Sequence, residues 1–270
     1  MKVTVLIDNI ASASLCGEWG LSFFIEYEGK KILLDAGASD LFLENAKDLG
    51  IDLADADLAV LSHAHYDHGN GFVPFFEVNK KAQLYLQESC GENCYSLKED
   101  GLKYIGLPEG ILEDYPDRLV KVSGNCHLMD GVWIIPHTCE GLEQVGRAEK
   151  MFLKYADNLK PDNFSHEQSL VFETDAGLVI FNSCSHAGAD RIIQEVRDVF
   201  PGQKIRAMIG GFHLFAKTSE QVYAFAQRLL EADVDVICTG HCTGDEAYAI
   251  LKEVLKDRVS QFHSGLILNF

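Results

Sequence analysis

Short runs of apolar and β-branched residues, separated by polar turns, recur along the chain: Val3 to Ile7, Leu21 to Tyr27, Lys31 to Leu34, Leu58 to Leu61 and Ala82 to Leu86 in the first part. Val132 to Ile135, Leu170 to Glu173, Leu178 to Phe181, Ile205 to Ile209 and Val234 to Cys238 follow. Runs of this length bounded by turn residues predict buried strands. Between them lie helical patterns. Leu41, Phe42, Ala46 and Leu49 share one face, and Gly50 stands where a C-terminal cap belongs. Thr218-x-x-Gln221 and Thr243-x-x-Glu246 each read as a capping box opening a further helix, with Val222, Phe225, Ala226, Leu229 and Leu230 on one stripe and Ala247, Ile250, Leu251, Val254 and Leu255 on the other. Such stripes face a core.

Residues 88 to 166 are richer in turn residues and weaker in periodicity, which predicts an inserted, lid-like segment within one domain spanning residues 1–270. At 270 residues and 47% hydrophobic, the chain has enough apolar surface for one large layered α/β core. The first apolar run is too short for a signal peptide and no stretch suffices to cross a bilayer, so a cytoplasmic protein without a membrane partner is expected. A net charge of -18 repels nucleic-acid backbones, which excludes nucleic acid as a partner and favours a small-molecule substrate; a homo-oligomer is compatible with the sequence. The eight cysteines form no paired Cys-x-x-Cys units of the kind a zinc ribbon needs and read as free thiols.

Histidines mark the ends of separate strands. His63 follows Leu58 to Ser62, His186 follows Leu178 to Ser185, His213 ends Ile205 to Phe212, and His241 ends Val234 to Gly240. Asp35 ends Lys31 to Leu34 and is followed by Ala36-Gly37. Loops at the carboxyl ends of strands are where sites assemble in layered α/β proteins, so one shared site is expected. Within it, His63-Ala64-His65-Tyr66-Asp67-His68 packs three imidazoles and a carboxylate into six residues. Burying them unpartnered would cost roughly 1–3 kcal/mol per group, and a bound ion removes that cost. Imidazole with carboxylate suits zinc first, with iron or manganese as alternatives.

His63 to His68 resembles the His-x-His-x-Asp-His hallmark of the metallo-β-lactamase superfamily, accompanied in order by Leu33-Leu34-Asp35-Ala36-Gly37, Ser185-His186-Ala187-Gly188 and Thr239-Gly240-His241. Within that superfamily the chain looks similar to the dihydropterin-methyl-ribofuranosylaminobenzene-phosphate synthase-like branch through Leu6-Ile7-Asp8-Asn9, Glu18-Trp19-Gly20-Leu21-Ser22, His166-Glu167-Gln168-Ser169-Leu170 and Gly210-Gly211-Phe212-His213-Leu214. The resemblance implies a four-layer αββα sandwich, two mixed sheets face to face with helices outside. It implies one or two divalent metal ions: His63, His65 and His186 for the first, Asp67, His68 and His241 for the second. His213 stands where many members carry a bridging aspartate, either as a ligand or as a residue lining the pocket. Asp35 would orient the ligands from behind, Asp67 would also be catalytic, and Glu18, His166 and Glu167 would approach the substrate.

The expected activity is metal-dependent hydrolysis, in which metal-activated water attacks a small-molecule ester, lactone, thioester or phosphoester. A pterin-related methylene or aminobenzene-phosphate transferase, as the branch name implies, and a non-catalytic metal-binding sensor are the alternatives.

Overall fold

The structure, a computed structural model, describes residues 1–12 and 14–270. It opens with a meander of β1 (Lys2–Ile7), β2 (Ser22–Tyr27) and β3 (Lys30–Leu34), then crosses through α1 (Leu41–Asp48) to β4 (Leu58–Val60). Two short helices, α2 (Tyr66–Gly69) and α3 (Phe72–Val78), lead to β5 (Gln83–Gln87). The middle holds β6 (Cys94–Lys98), β7 (Gly101–Tyr104), α4 (Ile111–Asp114), β8 (Leu119–Val122), β9 (Cys126–Met129) and β10 (Val132–Pro136), then α5 (Leu142–Ala148), β11 (Met151–Tyr155) and β12 (Asn158–Pro161). The last part contains β13 (Gln168–Thr174), β14 (Gly177–Phe181), α6 (Ala189–Val199), β15 (Ile205–Ile209), α7 (Ser219–Glu231), β16 (Val236–Thr239), α8 (Asp245–Leu255), β17 (Val259–Gln261) and β18 (Ile267–Asn269).

Two seven-stranded sheets, in the orders β18-β1-β2-β3-β4-β5-β8 and β17-β16-β15-β14-β13-β10-β9, face each other. Val3, Phe23, Ile25 and Leu34 of the first sheet form one buried cluster with Phe172, Val179, Phe181 and Ile209 of the second. The edge-to-face contact of Phe23 with Phe181, at 5.6 Å between centroids, crosses that interface. The outer face of the first sheet is covered by Phe42 and Ala46 of α1 and by Phe72, Phe75 and Phe76 of α3. The outer face of the second sheet packs on Ile192 and Val196 of α6, Phe225 and Leu229 of α7 and Leu251 of α8. The fold is therefore the four-layer αββα sandwich. Because both sheets are covered on both faces, their inner strands read as continuous hydrophobic runs rather than alternating ones.

Two expectations need correction. The segment 88 to 166 is not one excursion: β8 extends the first sheet and β9 and β10 extend the second, while β6, β7, β11 and β12 form a separate four-stranded sheet. These short strands lack a fully buried face, so their apolar residues are sparse and the segment looks irregular in sequence. Likewise, Thr243 does not cap α8, whose N-cap is Gly244 with no side-chain hydrogen bond. Its hydroxyl is engaged elsewhere, accepting from the Phe212 N–H at 3.0 Å and pairing with Thr239 Oγ1 at 2.6 Å. The capping box at Thr218 is present as read.

Candidate metal centre

The loops after β3, β4, β14, β15 and β16 converge at one edge of the sandwich. Their turns are tight enough to hold four side-chain-bearing residues in the left-handed region, Asp35 (φ 57), Ser185 (φ 54), His213 (φ 49) and His241 (φ 48). Residues other than glycine rarely adopt this conformation and tend to do so at functional sites, where surrounding structure holds them.

Asp35, fully buried, organises the first loop. One carboxylate oxygen accepts from the Ser62 N–H at 2.7 Å, and the other from Ser62 Oγ at 2.6 Å. That second oxygen also accepts from His68 Nδ1 at 2.8 Å. Since the Ser62 hydroxyl proton goes to Asp35, its oxygen accepts from His63 Nδ1, at 2.8 Å. One carboxylate thus fixes the tautomers of two imidazoles and turns the Nε2 lone pair of each toward the site. The same device repeats on the opposite wall: His241 Nδ1 donates to Asn9 Oδ1 at 3.0 Å, and His186 Nδ1 to Glu149 Oε2 at 3.3 Å.

The consequence is a set of buried nitrogens without partners. Nε2 of His63, His65, His186 and His241 each lacks a hydrogen bond. His63, His65 and His186 present ligand atoms all within 4.8 Å of one another. Asp67 Oδ2 lies 3.8 Å from His68 Nε2 and 3.4 Å from His241 Nε2. Burial, reinforced by neighbouring imidazoles, pushes His63 and His65 well below the usual histidine range, so both are neutral ligands in waiting. Burial alone would raise the Asp67 carboxyl, but the imidazoles of His68, His241 and His65 outweigh it and hold it ionised. Buried imidazole nitrogens without partners, gathered beside an ionised carboxylate, are the donor set a divalent cation satisfies. The residues present fit a metal.

The geometry divides the sequence-predicted residues. His63, His65, His68, His186, His241 and Asp67 come together. His213 sits beside them, grouping with His186 and Cys184, while its Nε2 lies 3.4 Å from Glu149 Oε2. Glu18, His166 and Glu167 do not approach a substrate space. Glu18 accepts from Ala38 N, Ser39 N and Ser39 Oγ. Glu167 accepts from the N–H groups of His186 and Ala187 with both its oxygens. His166 accepts from Ala64 N and pairs with Asp162 Oδ2 at 3.1 Å. His166 and Glu167 brace the loops that carry His65 and His186, and Glu18 braces the loop after Asp35.

Other residues escaped the sequence reading. Glu149 accepts from His186 and pairs with Lys217 Nζ at 3.0 Å. Burial would raise its carboxyl, yet His186, His213 and Lys217 bring it down to about 2. It lies in the weakly patterned middle, where nothing marked it. Cys184 and Cys242 also face the centre, with sulfur atoms 3.4 Å apart, and their nearness in sequence to His186 and His241 was the available clue.

A cavity of about 270 Å³ opens over this centre, lined among others by Trp19, His65, Tyr66, Asp67, Lys98 and Phe215. A larger one of about 530 Å³ lies to the side and meets the centre only through His186 and His213, so the smaller is the one poised over the ligands. Trp19 and Phe215, both exposed, meet edge to face at 5.4 Å on its rim.

A profile described as the metallo-beta-lactamase superfamily matches residues 20–139. The solved structure of Tm1679, a metal-dependent hydrolase of the beta-lactamase superfamily, superposes with a TM-score of 0.85 at 26% identity, covering 100% of this chain and 99% of that one. In sequence and in fold the chain is thus similar to the metallo-β-lactamase superfamily. It is also similar to the 7,8-dihydropterin-6-methyl-4-(beta-D-ribofuranosyl)-aminobenzene-5'-phosphate synthase of Methanocaldococcus jannaschii, 28% identical over 100% of this chain and 97% of that protein. The zinc-bound PqqB of Methylobacterium extorquens shares the fold, with a TM-score of 0.59 at 11% identity and full coverage of both chains.

Proposed function

We propose that this protein is a metal-dependent hydrolase acting on a small-molecule ester, lactone, thioester or phosphoester. The observation that carries this reading is a set of four buried Nε2 atoms without hydrogen-bond partners: His63, His65 and His186 offer ligand atoms within 4.8 Å of one another, and His241 Nε2 lies 3.4 Å from the ionised Asp67. His63, His65 and His186 would hold one ion, and Asp67, His68 and His241 a second, zinc first among the candidates. An ion held there supplies Lewis acidity and lowers the pKa of water from 15.7 toward about 7. The chain's own residues supply the rest. Asp67 faces the cavity as a carboxylate, placed to orient attacking water and accept its proton. Lys98 on the cavity wall offers a cation to an anionic substrate, and the Trp19 and Phe215 rim narrows access by water.

Transfer chemistry is a second reading, favoured by the exposed aromatic pair, which suits a flat ring, and by the similarity to a synthase. Turnover in oxygen-18 water separates the two. Label in the product, lost on chelation and in Asp67→Ala, is expected for hydrolysis; an unlabelled condensed product would replace that reading with transfer. Metal content of protein purified without added metal tests both, and a chain that takes up none on reconstitution would overturn both.

A further inference from the structure

Sulfur stands beside the two groups of ligands above. Cys184 Sγ belongs to three candidate ligand groups at once: with His63 and His68, with His241 and Cys242, and with His186 and His213, every ligand atom in each group lying within 4.8 Å of the others. It therefore reaches both sub-sites.

The hydrogen bonds define its role. His68 Nδ1 donates to Asp35 at 2.8 Å, which turns Nε2 toward Cys184 Sγ, 3.3 Å away. Two atoms at this separation share either a proton or a metal ion. Nitrogen and sulfur bound to one tetrahedral zinc, at about 2.05 and 2.3 Å, lie roughly 3.5 Å apart. Cys242 is placed differently. Its sulfur accepts from the His213 N–H at 3.3 Å, lies 3.8 Å from the Cys184 carbonyl oxygen, and belongs to one of those three groups, the one with Cys184 and His241.

We propose that Cys184 is a metal ligand that would join the two sub-sites as a bridging thiolate, one of the two roles that had been open for His213. On binding, the thiol proton passes to solvent as the metal–sulfur bonds form, with no change of oxidation state. The inference rests on the metal-centre part of the reading above, not on its hydrolytic part.

X-ray absorption at the zinc edge of the zinc-loaded protein tests it without any substrate. Wild type is expected to show sulfur at about 2.3 Å beside nitrogen at about 2.05 Å. Cys184→Ser should lose that sulfur shell and Cys242→Ser should keep it. A zinc site with nitrogen and oxygen neighbours only would overturn the proposal while leaving the hydrolase reading intact. A sulfur shell that survives Cys184→Ser would overturn it too. Should Cys184→Ser fail to fold, Cys242→Ser and Cys94→Ser decide: a shell kept in both assigns the sulfur to Cys184, and a shell lost in either refutes the assignment. A sulfur shell in a protein that hydrolyses nothing would uphold the proposal and sink the hydrolase.

Discussion

Both oxygens of Asp35 are committed to the ligand loop, one to the Ser62 N–H and one shared by Ser62 Oγ and His68 Nδ1. An asparagine there offers one oxygen and a competing N–H donor, so it cannot satisfy both neighbours. Asp35→Asn should weaken metal binding by roughly 10–100-fold, measured by chelator competition, and unchanged affinity would disprove its orienting role. At this scale the sequence was informative where chemistry is packed locally. Three histidines and an aspartate within six residues have no common structural explanation, so His63 to His68 could be read directly. Glu149, Glu167 and Cys184 act through partners distant in sequence, such as His186 for Glu149 at a separation of 37 residues, and no local pattern reports such a contact.

Among the elements, α7 and α8 look alike in sequence and are held differently. Gln221 N donates to Thr218 Oγ1 at 3.4 Å and Gln221 Oε1 accepts from Thr218 N at 3.0 Å, closing the box. Thr218→Ala should lower stability by about 1 kcal/mol, read as a fall in Tm without loss of metal. Thr243→Ala should instead disturb the centre, because the Thr243 hydroxyl ties the loop before His213 to the one holding His241; equal metal affinity in both variants would contradict this. Helix α6 is clasped to the segment just after β10 through Glu195, which accepts from the Thr138 N–H at 2.7 Å and from His137 Nδ1 at 3.0 Å. Burial would raise the Glu195 carboxyl, but the bonds from His137 and Thr138 prevail and hold it below its ordinary value. A lower pKa in the folded state means the unfolded chain binds the proton first. The contact therefore stabilises fully above the unfolded pKa of about 4.3 and fades as pH falls through the folded value. Glu195→Gln should lower Tm near neutral pH by an amount that shrinks on acidification, and a gap that widens would refute the assignment. Strands packed on both faces announce themselves as hydrophobic runs, whereas β6, β7, β11 and β12 do not, which is why the core was legible and the middle was not.

In the whole molecule the two sheets follow one plan that the sequence does not display as a repeat. From β18 to β3 three successive pairings are antiparallel, and from β3 to β8 three are parallel. From β9 to β14 three are again antiparallel, and from β14 to β17 three are parallel. Asp35 follows β3 and Asn182 follows β14, the strands where each pattern changes, and each side chain accepts from an N–H of its own site wall: Asp35 from Ser62, Asn182 from Ser185 at 2.6 Å. Hydrophobic packing of each sheet tolerates many sequences, so shared pairing survives where residue identity does not.

The proposed ligands are divided between these two halves. His63, His65, Asp67 and His68 belong to the first sheet's loops, and Cys184, His186 and His241 to the second's. An ion bound to both sets is a rivet through two plates, and unfolding must draw it out. Loading at a free concentration a hundred times the Kd would then add about 2.7 kcal/mol to stability, so titrating metal should raise Tm with the logarithm of its concentration. A chelator should then pull the plates apart at a lower temperature, and calorimetry would read the difference as a fall in Tm.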